Sequence, residues 1–226
     1  MPATIAPAAH GGDTALQVSF RRVVLDGISW EDYRKIGAIL RDRPALRLTY
    51  DRESLEIMTT SPEHEKYKMR LGRIVETLAE EFELPLEPGG NMTFQREDRV
   101  KGLEADQCYW IQHEAQVRGK LEWDPTADPP PDLVMEIEVS RSAMGRMAIY
   151  AALRVPEVWC FDGQRLRVHV LQPNGTYLLS DHSPTFPGVD LNMLATFLKP
   201  SPEQDYLSVI RAFRSWIQSV RASSKK

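Results

Sequence analysis

Apolar and polar residues alternate through Leu133-Val134-Met135-Glu136-Ile137-Glu138-Val139-Ser140, directly after the prolines Pro129 to Pro131. That period of two predicts a strand with Leu133, Met135, Ile137 and Val139 on one face and Val134, Glu136, Glu138 and Ser140 on the other. Leu133-Val134-Met135 is apolar on both faces, as in a strand covered on both sides. Ser140 to Arg154 reads as a helix, so Glu136 and Glu138 fall near the C-terminal end of a strand that runs into a helix, the end at which open α/β sheets bind ligands. Same-face neighbours lie roughly 6 to 7 Å apart. Two carboxylates that close are costly away from water unless a cation or strong donors compensate them; on an edge strand both would simply face solvent.

Upstream, Val18 to Leu25 reads as a short strand or extended arm, and Ser29 caps a helix to about Arg41 with Trp30, Tyr33 and Ile36 inward. Leu46 to Tyr50 and Leu55 to Met58 form a hairpin. Ser61-Pro62-Glu63-His64 starts a helix to about Phe82, whose buried stripe is Tyr67, Leu71, Ile74, Val75, Leu78 and Phe82. His64 lies at the inner edge of that stripe, where a capping or packing role outweighs ligation, and Glu63, Glu65 and Glu76 read as a solvated face. Asn91 to Phe94 looks like a strand and Arg96-Glu97-Asp98-Arg99 like a charged loop. Leu103 to Ile111 reads as one strand with Glu104, Asp106, Cys108 and Trp110 on one face. Asp is a poor strand former, so Asp106 calls for an explanation beyond solubility. A long polar loop, Gln112 to Asp128, then leads into the strand with the paired glutamates.

Beyond it, Ser142, Arg146 and Tyr150 share one helical stripe, and Met144, Met147, Ala148 and Ala151 share another. Arg146 either reaches toward an anionic ligand at the strand end or lies on the surface. Glu157 to Phe161, Leu166 to Leu171 and Thr176 to Leu179 form a small antiparallel meander. A short helix around Leu191 to Leu198 and a capped helix from Ser201 follow. The apolar stripe of that last helix, Leu207, Ile210, Phe213, Ile217 and Val220, docks on the body or on a partner subunit.

With 226 residues the chain can bury one full core. The expected division is an N-terminal segment over 1–16, disordered by composition, a folded body over 17–200, and a C-terminal helix with a basic tail over 201–226. The net charge of −4 excludes a global basic field, so binding to nucleic acid would rest on a local patch or on metal ions. Cys108 and Cys160 lack metal-ligand spacing and fit buried, reduced thiols. No apolar run approaches a membrane span and no signal peptide is evident, so the expected location is the cytoplasm.

If the strands bearing Asp106 and Glu136 are neighbours, three or four carboxylates converge. Hard oxygen donors gathered in this way suit Mg²⁺ or Mn²⁺. Three stretches strengthen this reading: Gly102-Leu103-Glu104-Ala105-Asp106-Gln107-Cys108-Tyr109-Trp110-Ile111, Pro131-Asp132-Leu133-Val134-Met135-Glu136-Ile137-Glu138, and Ile149-Tyr150-Ala151-Ala152-Leu153-Arg154-Val155-Pro156-Glu157-Val158-Trp159. Together with Ser61-Pro62-Glu63-His64-Glu65, they resemble the Uma-two family, grouped with the PD-(D/E)xK nucleases, over residues 18 to 200. The resemblance implies an α/β restriction-endonuclease-like fold, a mixed β-sheet flanked by helices. It implies that Asp106 and Glu136 are metal ligands, with the Ile137 carbonyl a further one. The motif lysine expected two residues after the glutamate is Glu138 here, and Ala105 replaces a usual proline. Arg146 is the candidate substitute for the lysine, although an arginine cannot act as a base. Glu138 becomes a third metal ligand or orients a metal-bound water.

The expected function is Mg²⁺- or Mn²⁺-dependent endonucleolytic hydrolysis of nucleic acid, DNA in the first instance, with no membrane partner and with a homodimer as the expected assembly. Two alternatives remain: a catalytically inactive nuclease-fold module that binds nucleic acid or a protein, and hydrolysis of another phosphate ester at the same centre.

Overall fold

The computed structural model describes residues 22–43, 45–96, 100–124, 126–139 and 145–224. The 1–16 segment, most of the charged loop after Arg96, Ser142, Met144 and the Lys225-Lys226 tail lie outside them. Strand β1 (Arg22–Leu25) leads to helix α1 (Trp30–Leu40), where the Ser29 hydroxyl accepts the Asp32 N–H at 3.1 Å. The expected hairpin is β2 (Leu46–Asp51) and β3 (Ser54–Thr59). Tyr33 stacks on Tyr50 at 4.6 Å, and Trp30 leans on both, which seats α1 against the hairpin. Helix α2 (Pro62–Phe82) begins where Ser61 accepts the His64 N–H at 3.1 Å, with Pro62 in its first turn. Tyr67, Leu71, Ile74, Val75 and Leu78 are buried as the period predicts.

The structure then departs from the pattern. The residues around Asn91 do not form one strand: β4 (Glu87–Gly90) and β5 (Thr93–Arg96) belong to different sheets. Leu103 to Ile111 likewise divides into β6 (Lys101–Glu104) and β7 (Gln107–Trp110), with Ala105 and Asp106 between them. Strand β6 pairs with β2 and β5, and β7 pairs with β4, so between β4 and β7 the chain passes from sheet to sheet twice. The Ala105 N–H donates to the Met92 carbonyl at 3.2 Å and ties the two crossings together. Read as one strand, the stretch puts Glu104, Asp106, Cys108 and Trp110 on one face; in the structure the face shifts at the junction, and Leu103 and Ala105 share a core with Cys108 and Trp110. Gly89 lets β4 approach β7, because a Cβ there would stand 2.5 Å from Cys108 Sγ and 2.7 Å from the Trp110 ring.

A single helical turn, α3 (Glu114–Val117), interrupts the long loop before β8 (Leu133–Ile137), which is buried at every position. Strand β8 pairs antiparallel with β7. Helix α4 (Arg146–Leu153) connects it to the parallel strand β9 (Glu157–Phe161), so the described helix is shorter than the pattern suggested. Strands β9, β10 (Leu166–Leu171) and β11 (Tyr177–Ser180) form the expected meander. The two sheets have the orders β1-β3-β2-β6-β5, all antiparallel, and β11-β10-β9-β8-β7-β4, mixed. Leu133, Met135 and Ile137 join the core beneath α2, whereas Val134 joins a second core with Ile149 and Tyr150 of α4. Helices α5 (Leu191–Leu198) and α6 (Tyr206–Ser224) complete the α2 side. Helix α6 starts later than Ser201, after Asp205, whose carboxylate accepts the Ser208 N–H at 3.1 Å. Its Phe213 and Ile217 are buried against the body. This is an α/β architecture of the restriction-endonuclease-like class, and among the described residues no helix is long and apolar enough to cross a membrane.

Gly102 allows the Tyr33 ring to lie flat on β6, since a Cβ there would stand 2.4 Å from Tyr33 Oη and 2.8 Å from Cζ. Tyr33 is held by the Tyr50 stack and cannot swing aside. Gly102→Ala is therefore expected to lower stability by about 1 to 3 kcal/mol, the usual range for overpacking, read as a fall in the urea midpoint; an unchanged midpoint would show that α1 yields freely.

Candidate active site

Asp106 occupies the point where the chain leaves one sheet and enters the other, and its side chain holds the neighbouring strand. Its Oδ2 accepts the Ile137 backbone N–H at 2.8 Å and faces His64 Nε2 at 3.0 Å, while Oδ1 lies 3.7 Å from Arg47 Nε. The Asp106, His64 and Arg47 side chains are all buried. Burial disfavours the Asp106 carboxylate, but the His64 hydrogen bond and charge, together with Arg146 and the Ile137 N–H, outweigh it and hold its pKa below the usual value. Burial likewise lowers the pKa of His64, and its bond to Asp106 more than reverses this.

Glu136 precedes Ile137 in β8 and points from the opposite face, toward α4. Arg146 Nη2 donates to Glu136 Oε1 at 2.8 Å and to the Glu104 carbonyl at 2.5 Å, and the Tyr150 hydroxyl donates to the same Glu136 oxygen. The stripe that placed Arg146 and Tyr150 on one side of the helix thus delivers both to one carboxylate. Burial pushes the Glu136 carboxyl up to about 8; Arg146 opposes this rise, and the charge of Asp106 adds to it. Glu104, half-buried 4.0 Å from Arg47, is also raised by burial.

The other expected residues are placed as follows. Ile137 contributes its N–H to Asp106, and its side chain is buried in the core. Glu138 continues the strand by donating its N–H to the Phe161 carbonyl at 2.7 Å, but its carboxylate pairs with Arg167 Nη2 at 2.6 Å at a partly exposed position. Glu65 reaches the edge of the cluster, 3.3 Å from His64 Nδ1. Cys108 and Cys160 are buried free thiols, and burial pushes Cys108 up to about 12, which leaves neither reactive.

Two members of the cluster escaped the sequence reading. The pattern gives His64 a capping or packing role, because a single histidine on an apolar stripe usually has one. Arg47 was read only as part of a hairpin. A signal existed for Arg47: a cation between Leu46 and Leu48 in a strand poses the same question of compensation as Asp106 in its own.

Among the described residues no three His, Cys, Asp or Glu side chains are gathered as a ligand set. The donors still fit a hard divalent cation. Mg²⁺ is commonly held by one or two carboxylates and completes its shell with water and substrate phosphate. Glu136, buried beside Asp106 with its pKa raised in part by that neighbour, is a group whose ionisation such a charge would relieve.

A group with a raised folded pKa favours the folded state fully below its unfolded value, and that contribution is lost as pH rises through the folded value. In chelator, the wild type is therefore expected to lose urea stability relative to Glu136→Gln as pH rises from about 4.5 to about 8. Parallel stability profiles would refute the raised ionisation.

A comparison with curated proteins finds no match. Residues 30–198 match the family model Uma2, described as "Putative restriction endonuclease". This match spans most of the chain, including β2, the crossing at Asp106, β8 and α4, and the chain therefore belongs to the Uma2 family.

Proposed function

We propose that the protein is a metal-dependent endonuclease that hydrolyses phosphodiester bonds of nucleic acid, DNA in the first instance, with its centre at Asp106 and Glu136. The observation that carries this reading is the junction itself: two buried carboxylates, Asp106 from the crossing between the sheets and Glu136 from β8, linked through the Ile137 N–H and flanked by Arg146, Arg47 and His64. Few structural demands explain so many charges in one dry place. A polyanionic substrate and a cation explain them together.

Asp106 and Glu136 would hold Mg²⁺ or Mn²⁺, with the Ile137 carbonyl as a further oxygen donor. When bound, the ion supplies Lewis acidity and lowers the pKa of a water near the scissile phosphate. His64 and the Ile137 N–H hold the Asp106 carboxylate and, with the charge of Arg146, keep it ionised, while Arg47 stands beside its other oxygen. Arg146, protonated at any working pH, counters charge that develops on the phosphate oxygens and stands in for the motif lysine in that electrostatic task. It cannot remove a proton, so the proton of the attacking water would pass to solvent or to the phosphate.

One observation favours a catalytically silent binding module instead: Glu138 replaces the motif lysine and is paired with Arg167. The two readings part on turnover. The hydrolytic reading predicts Mg²⁺-dependent cleavage of duplex or single-stranded DNA that chelator abolishes. Asp106→Asn and Glu136→Gln should each lose nearly all of it while remaining folded by circular dichroism. Arg146→Lys should retain more activity than Arg146→Met, because charge at that place is what it supplies. Cleavage retained by both carboxylate variants would sink the assignment, and binding without any turnover would establish the silent module.

A further inference from the structure

The protein is acidic as a whole, yet one cavity is lined by four arginines. It measures about 440 Å³ and lies between α1, β2 and β5, with Arg34, Arg41, Arg43 and Arg47 in its wall. A volume of this size is in the range of small-ligand sites. Among the described residues, Glu104 is the one carboxylate in its lining. Among the described residues, Arg34, Arg41 and Arg43 enter no ion pair, and all three are exposed. The acids of α1 do not compensate them: Glu31 and Asp32 are engaged by Lys35, at 2.8 and 3.8 Å. A net positive pocket has thus been left open in a chain that carries a net charge of −4.

Its position gives the charge a purpose. Arg47 lines the cavity and stands 3.7 Å from Asp106 Oδ1. Glu104 also lines it, and its carbonyl accepts from Arg146. The cavity therefore shares residues with the carboxylate centre instead of lying elsewhere on the molecule. The inner, buried arginine is engaged with the centre, and the three outer ones are open to solvent. This gradient suits a ligand whose negative charges repeat along its length, one near the centre and others outside.

We infer that this cavity is a backbone subsite for nucleic acid, in which Arg34, Arg41 and Arg43 bind phosphates flanking the one presented to Asp106 and Glu136. The inference rests on the nucleic-acid reading above and adds where the strand runs: over α1 and into the junction between the sheets. Such contacts position without reading sequence, since every phosphate is alike. They also release counterions, and this release is measurable.

The test is fluorescence anisotropy with a short fluorescein-labelled DNA duplex and its single strand, in chelator so that nothing is cleaved, between about 50 and 200 mM salt. The logarithm of affinity falls with the logarithm of salt by about 0.9 per neutralised duplex phosphate. Arg34→Ala/Arg41→Ala/Arg43→Ala is expected to weaken binding at low salt and to flatten the slope by roughly 2 to 3. An equal loss of charge at Lys199, Arg211 and Arg221, in and beside α6, should leave the slope unchanged. Equal slopes for the wild type and the α1-side variant overturn the subsite, as does an equal effect from the α6-side variant. Arginine-dependent binding in a protein that cleaves nothing overturns the hydrolytic reading and supports the subsite. Cleavage with an unaltered slope overturns the subsite alone.

Discussion

Charge buried in a sheet has to be answered within a few ångströms, and Glu136 places that demand in the middle of a strand covered on both faces. Much of the local architecture is the answer. Helix α4 brings Arg146 and Tyr150 to the carboxylate from two successive turns, four residues apart, so the same packing that buries Ile149 and Leu153 also delivers the compensation. The cost of holding the group is not fully met, as its elevated pKa shows. Replacing a buried ion pair by apolar residues of similar volume is often neutral or stabilising. The retained deficit is consistent with a site completed by something the chain does not itself contain.

Asp106 shows the complementary solution. It is equally buried but fully engaged, by a backbone N–H on one oxygen, a histidine on the same oxygen and an arginine near the other. Its ionised form is therefore favoured where that of Glu136 is disfavoured, although the two are neighbours. Adjacent carboxylates whose environments push their pKa values apart can take different roles. Here Asp106 is held toward its anion and Glu136 toward its neutral form.

Much of this was legible in the chain, and the failures have a common cause. Period-two alternation identified β8 and both of its faces, capping residues identified the starts of α1 and α2, and the helical stripe identified Arg146 with Tyr150. What alternation cannot register is a change of partner strand. Between Leu103 and Trp110 the hydrogen bonds pass from one sheet to the other and the face turned to one core shifts from Leu103 and Ala105 to Cys108 and Trp110, so a single period of two gives one strand where there are two. The contribution of His64 was hidden for a related reason. It lies forty-two residues from Asp106, and only the docking of α2 against the junction makes them neighbours. Glu138 was expected to share the fate of Glu136 because it shares its face, but β8 ends at Ile137 and Arg167 on β10 takes the second carboxylate.

The crossing at Ala105 and Asp106 also explains how a small chain combines a dry centre with an open approach. Two sheets that merely packed face to face would bury every charge between them or expose every one at an edge. When a strand leaves one sheet and joins the next, the first sheet ends beside the centre and turns its outer strands and α1 toward solvent. Arg47 on β2 then spans the two environments, touching the buried aspartate at one end and the arginine-lined cavity at the other. Residues of the first sheet need only hold α1 in place, which the Tyr33 and Tyr50 stack over Gly102 does. The second sheet supplies Glu136, and the crossing itself supplies Asp106. The separation of an arginine-lined cavity beside the first sheet from a carboxylate pair at the end of β8 in the second follows from this change of strand partners, and Asp106, a residue poorly suited to a strand, sits where the change occurs.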